Sequence, residues 1–93
     1  MRAWIVDIDG TIANNEHRIH YLTNGHKDWD SWHANSHKDE PIIEVIELLD
    51  MAVDLGIKIV LCTGRDDKCR ADTVAWLETN DIPYDALYMR KKG

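Results

Sequence analysis

Ala3-Trp4-Ile5-Val6-Asp7-Ile8-Asp9-Gly10-Thr11 is the stretch on which the reading of this chain turns. A short apolar run, β-branched in part, ends in two carboxylates one residue apart, and the chain then breaks at glycine. Runs of this kind form buried strands, so residues 3–8 are expected to be a fully buried one. Residues two apart on a strand share a face. If strand geometry holds through the pair, Asp7 and Asp9 point the same way. Gly10 lets the backbone turn sharply just after them. Two carboxylates at the end of a buried strand are costly unless their charge is compensated. A divalent metal is the usual compensation, often with a phosphate beside it. The start of the chain therefore points to Mg²⁺-dependent phosphate chemistry.

Downstream, Asn14 to Glu40 is polar, with His, Asn, Asp and three aromatics (Tyr21, Trp29, Trp32). Short helices are expected over about 15–23 and 28–35, separated by a turn at Asn24-Gly25. An insert placed after a catalytic strand serves as a lid or rim. Pro41 then opens a strong helix, where its missing N–H costs little. Ile42, Ile43, Val45, Ile46, Leu48, Leu49, Ala52, Val53 and Leu55 give that helix a wide apolar face, and Gly56 fits a C-cap. Ile57 to Cys62 is the second buried strand, stopping at Thr63-Gly64-Arg65. Asp66 or Asp67 can cap the next helix, which runs to about Thr79 with Val74, Ala75 and Leu77 inward. Ala86-Leu87-Tyr88-Met89 reads as a third strand.

Strands alternating with helices predict an α/β fold: a Rossmann-like parallel sheet with flanking helices and right-handed crossovers. Ligands of such sheets sit beyond the carboxyl ends of the strands. Asp7 and Asp9, and then Thr63, Gly64 and Arg65, fall there on successive strands. At 93 residues the chain is read as a single domain, 1–93, with a small cap insert at about 14–40. A formal net charge of −6 argues against a broad electrostatic grip on nucleic acid, so any such contact is local. Two cysteines, Cys62 and Cys69, suit a reduced cytoplasmic setting. No apolar run approaches membrane-spanning length.

Asp7-Ile8-Asp9-Gly10-Thr11 matches the DxDGT signature of the haloacid dehalogenase-like (HAD) phosphohydrolases, and Leu61-Cys62-Thr63-Gly64-Arg65 looks like their second motif. His17-Arg18, Trp76-Leu77, Pro83-Tyr84-Asp85 and Leu87-Tyr88-Met89-Arg90 resemble the phosphatase domain of phage-type polynucleotide kinase/3′-phosphatases along nearly the whole chain. The resemblance implies that Asp7 is the nucleophile, forming an aspartyl-phosphate. Asp9 is then general acid and later general base. Mg²⁺ takes one oxygen of Asp7 and the backbone carbonyl of Asp9, screening nucleophile from substrate. Thr63 and Gly64 hold phosphoryl oxygens, and Arg65 adds a forked cationic donor for phosphate. The implied substrate is a 3′-phosphorylated nucleic-acid end. A phosphorylated nucleotide or other small molecule, and a catalytically inactive phosphate- or metal-binding interaction module, are the competing readings.

Other features read more plainly. Asp66-Asp67 is expected to cap a helix rather than bind metal. His17/His20 and His33/His37 have helical spacing, but without cysteines nearby, surface roles are favoured over zinc. Trp29 and Trp32 could stack on a nucleobase, and packing of the insert on the core is the favoured use. Cys62 and Cys69 read as small buried apolar residues. The resemblance also implies a lysine and a fourth acidic strand beyond Gly93. Without that strand, residues 3–8 form an exposed apolar edge, so the expectation is an incomplete core with missing C-terminal strands, or self-association along strand 3–8.

Overall fold

The computed structural model describes residues 2–22 and 28–90. The turn expected at Asn24-Gly25 lies outside them, as do His26, Lys91 and Lys92. In chain order the elements are β1 (Ala3–Asp7), β2 (Ala13–Asn14), a 3₁₀ turn (Glu16–Leu22), α1 (Trp29–Ala34), a 3₁₀ turn (Ser36–Lys38), β3 (Glu40–Pro41), α2 (Ile43–Asp54), β4 (Lys58–Asp66), a 3₁₀ turn (Asp67–Cys69), α3 (Arg70–Thr79) and β5 (Ala86–Arg90).

The main sheet is parallel, in the order β1-β4-β5. Both crossovers step in the same direction, and right-handed connections then put α2 and α3 on one side. Val6, Leu61 and Leu87 are register neighbours across the three strands. With Ile59 they pack against Ile46, Leu49 and Ala52 of α2 and Trp76 and Leu77 of α3. The opposite face carries the rows Ile5–Val60–Ala86 and Asp7–Cys62–Tyr88. It stays open among the described residues, with Ile5 77% and Tyr88 63% exposed.

Residues 3–8 are therefore not the fully buried strand that their composition predicts. Ile8 is buried and Val6 partly so, while Trp4 and Ile5 are exposed. Parallel strands read as continuous apolar runs because they are normally covered on both faces. Here β1 pairs with β4 alone among the described residues, and one of its faces has no cover.

Three local expectations also shift. Pro41 does not open α2; it pairs with Ala13 in the small antiparallel β2–β3 ladder. The Ile42 N–H donates to the Ile12 carbonyl at 2.7 Å, holding the chain extended until Ile43. Proline suits that ladder, having no N–H to pair. Only the Ile46, Leu49 and Ala52 stripe of α2 is buried, and Ile43, Leu48, Val53 and Leu55 stay exposed. In α3 the buried residues are Thr73, Trp76 and Leu77, with Ala75 facing out. The end of α2 follows expectation. Gly56, at φ +78, donates to the Val53 carbonyl, and Ile57 N–H reaches the Ala52 carbonyl, the paired bonds of a Schellman cap.

In the insert, the first helix is a 3₁₀ turn and the second, α1, covers Trp29–Ala34. Asp28 starts α1 by accepting the Ser31 N–H and hydroxyl at 3.0 and 2.7 Å.

Candidate active site

β1 stops at Asp7, and the chain bends at Ile8, whose side chain is driven into the core. The Ile8 carbonyl collects the N–H groups of Thr11, Ile12 and Ala13 at 3.2, 2.9 and 2.9 Å. Gly10, at φ +80, closes this tight turn, a conformation that side-chain-bearing residues resist. The turn aims Asp9 at the end of β4. There, the pairing with β5 shifts register between Thr63 and Asp66, which opens the strand into a corner.

The corner grips Asp9. Arg65 Nη2 donates to Asp9 Oδ1 at 2.8 Å, and Arg65 Nε reaches both carboxylate oxygens at 3.3 and 3.1 Å. The Thr63 hydroxyl donates to Oδ2 at 3.3 Å. Arg18, from the 3₁₀ turn, adds Nη2 to Oδ1 at 2.9 Å. Burial pushes the Asp9 carboxyl upward, but the Arg65 hydrogen bonds, the charges of Arg65 and Arg18, and the Thr63 hydroxyl outweigh it. The net pKa lies below the usual carboxylate value.

Behind this grip sits a buried carboxylate that the sequence reading did not single out. Asp39 accepts Arg18 Nε and Nη2 at 2.8 and 2.7 Å, pairs with His17 Nε2 at 2.6 Å, and lies 3.5 Å from Arg65 Nη2. Two arginines and two aspartates thus form a neutral quartet. Arg18 also donates to the Trp32 carbonyl at 3.0 Å and lies 4.1 Å over the Trp32 ring. Arg65 Nη1 reaches the Thr73 hydroxyl of α3 at 3.2 Å, and Trp76 Nε1 donates to the Asp39 carbonyl at 2.8 Å. The signal for Asp39 was the basic residue in His17-Arg18. An arginine buried to this degree requires a carboxylate partner.

Asp7 stands apart. It is exposed, and its Oδ1 accepts the Ile8 N–H at 2.9 Å. The two leading aspartates do not share a face as unbroken strand geometry predicts, because the bend at Ile8 intervenes. Asp7 lines a shallow hollow with Ile5, Cys62, Thr63, Gly64, Tyr88, Met89 and Arg90. Asp9 lines a neighbouring cavity of about 570 Å³. Gly64 and Arg90 border both, so the hollows meet at the Thr-Gly-Arg corner. A Cβ placed on Gly64 would meet nothing within 4 Å.

Arg65, expected to donate to phosphate, is buried with its guanidinium on Asp9 and Thr73. Asp66 acts as a cap, accepting the Lys68 N–H at 3.0 Å. Among the described residues no group of three His, Cys, Asp or Glu side chains could hold a metal, and His17 belongs to Asp39. Cys62 is part-exposed and Cys69 buried; both are free thiols. Burial pushes the Cys69 thiol up; Lys68 and Arg65 oppose the shift, and Asp66 and Asp72 reinforce it. Cys69 is thus a poor nucleophile.

A three-stranded parallel sheet with helices on one side, an Asp-x-Asp turn at the end of β1 and a Thr-Gly-Arg corner in the last residues of β4 define a HAD-like phosphatase domain. The model of the family described as the polynucleotide kinase PNKP phosphatase domain matches residues 1–93, and the chain belongs to that family. No curated protein matches the sequence significantly. Among solved structures, the Pnkp1/Rnl/Hen1 complex contains a chain 29% identical, with a TM-score of 0.75 over 99% of this chain and 28% of that one. A second structure, the Pnkp1/Rnl/Hen1 RNA repair complex, matches at 29% identity and TM-score 0.74, over 99% of this chain and 26% of that one. The present chain thus spans about a quarter of those relatives. The class C acid phosphatase of Bacillus anthracis shares the fold at 21% identity and TM-score 0.78, over 96% of this chain and 40% of that one.

Proposed function

We propose that this domain is a Mg²⁺-dependent phosphomonoesterase of the polynucleotide 3′-phosphatase type, working through an aspartyl-phosphate. The observation that carries the reading is the meeting of two hollows at Gly64, one bordered by an exposed carboxylate and the other by a carboxylate under arginine control. Asp7, unencumbered at the sheet edge, attacks phosphorus as its P–O bond to the sugar oxygen breaks. Asp9, held as a carboxylate by Arg65 and Arg18 in the free domain, takes up a solvent proton once the entering phosphate draws Arg65 away and gives it to the departing oxygen. It later takes a proton from the water that cleaves the acyl phosphate, releasing inorganic phosphate and restoring Asp7. Thr63 and the Gly64 N–H hold the phosphoryl oxygens in the space that no side chain fills. An entering phosphate competes with Asp9 for Arg65, which brings that cation into phosphate binding.

The donor set suits a hard cation. Asp7 offers a carboxylate, and the Asp9 backbone carbonyl accepts no hydrogen bond among the described residues. Mg²⁺ needs no more from protein when waters and a phosphate complete its shell. When bound, it supplies charge screening between the anionic nucleophile and the anionic ester.

Residues 14–40 form the cap in this reading, walling the larger cavity with Trp29 and Trp32. The Pnkp1 neighbours, one of which comes from an RNA repair complex, support a phosphorylated nucleic-acid end as substrate. Two free cysteines support a cytoplasmic setting. Among the described residues no helix is long and apolar enough to cross a membrane. The unpaired edge of β1 supports self-association there.

The test is phosphate release from a 3′-phosphorylated oligonucleotide with Mg²⁺ present. Asp7→Asn should fall to background, and equal rates for both proteins would dispose of the reading. Faster turnover of free mononucleotides would reassign the substrate to that class.

A further inference from the structure

The larger cavity holds two indole rings, and the structure gives them different tasks. Trp32 is a fixed wall: its ring lies under the Arg18 guanidinium and its carbonyl accepts Arg18 Nη1. Trp29, one helical turn earlier on α1, lines the same cavity yet remains 50% exposed. A half-exposed indole on a concave wall is a large apolar surface left in water. Asp9, Gly64 and Arg65 border the same cavity, and Lys68, Arg90, Asp30 and Asp66 complete its lining.

The charges of this lining cancel. Arg65 serves Asp9, and Arg90 Nη2 lies 4.0 Å from Asp66 Oδ2. Lys68 and Asp30 are left as one charge of each sign. In a chain of net charge −6, the field cannot gather a polyanion. Affinity for a nucleic-acid end must then come from something indifferent to charge, and an aromatic face is the sequence-tolerant means of supplying it. The cavity, about 570 Å³, is of a size that takes a nucleotide.

We propose that Trp29 is the base-stacking residue of this site: it takes the nucleobase of the nucleotide whose 3′-phosphate reaches Gly64, and so selects nucleotide esters over base-free ones. The inference rests on the phosphatase reading for the position of the phosphate and adds the class of group bound beside it. Trp29 is a specificity residue, with no part in moving protons or phosphorus.

Two pentanucleotide 3′-phosphates serve as probes, one with a normal terminal nucleotide and one whose terminal sugar lacks its base. With Trp29→Ala, KM for the base-bearing probe should rise roughly 5- to 100-fold, with kcat changed less than twofold and the abasic probe unaffected. Trp29→Phe should keep most of the preference, since a π-face remains. An unchanged preference in Trp29→Ala, or equal losses on both probes, would overturn the proposal while leaving the phosphatase reading intact. Binding of fluorescently labelled probes, followed by anisotropy, requires no turnover. A base-dependent preference that Trp29→Ala abolishes would support the stacking role even if no phosphate were released, and no preference in the native chain would overturn it. Circular dichroism of the half-exposed variant separates lost stacking from lost folding.

Discussion

Asp39 shows how much of a candidate site can rest on a carboxylate buried behind it. Its side chain is fully buried and faces His17, Arg18 and Arg65. Removing one partner of a buried ion network strands the others, so Asp39→Ala should lose about 3–5 kcal/mol of stability in urea denaturation. Asp9 gives a second test, by pH. Its folded pKa is depressed, so its grip contributes stability above the unfolded value of about 3.9 and loses it as pH falls through the folded value. Urea midpoints should therefore drop below about pH 4 in the native chain, and Asp9→Asn should show a smaller drop. At this scale the sequence singled out Asp9, Thr63 and Arg65, because strand ends announce themselves by apolar runs that stop, and the structure brings the three side chains into hydrogen-bond contact. It did not disclose Asp39, which lies in a polar segment without periodicity, where one aspartate looks like another. Nor did it disclose that Arg65 turns to a carboxylate.

Glycines separate folding from function among the elements. Gly56 closes α2 at φ +78 with nothing within 4 Å of a Cβ, so Gly56→Ala should cost about 1–2 kcal/mol through backbone strain alone. Gly64 needs no unusual φ, and a methyl there meets only open space. Gly64→Ala should fold with unchanged stability by calorimetry yet raise KM for the 3′-phosphate at least tenfold, because in the proposed mechanism the methyl enters the space taken by phosphoryl oxygens. The alternation of strands and helices was legible because apolar periodicity reports burial. The extended start at Pro41-Ile42 was not, since it depends on the distant Ile12 carbonyl. The inward side of α3 was misjudged at Ala75, a residue small enough to sit on either face.

Among the described residues the main sheet has one covered face and two edge strands, β1 and β5. Strand composition reported apolar residues but could not say which would find a partner, and so Ile5 looked buried. β1 offers unpaired backbone groups beside an exposed Ile5 and Trp4. Light scattering after size-exclusion chromatography should give a mass above that of one chain as concentration rises. Ile5→Lys should return it to the single-chain value; a concentration-independent single-chain mass for the native protein would exclude pairing along that edge.

The Arg18–Asp39–Arg65–Asp9 quartet reaches across three parts of the fold: the insert, the main sheet and α3. Its balance has a consequence for any chimera. A foreign lid grafted between Asn14 and Glu40 removes one anion and one cation together. Arg65 survives on the sheet, facing Asp9 alone. Interchange of lids is therefore constrained by electroneutrality as well as by shape: a workable graft must import its own arginine–carboxylate couple at this junction, or leave Asp9 held by a single cation.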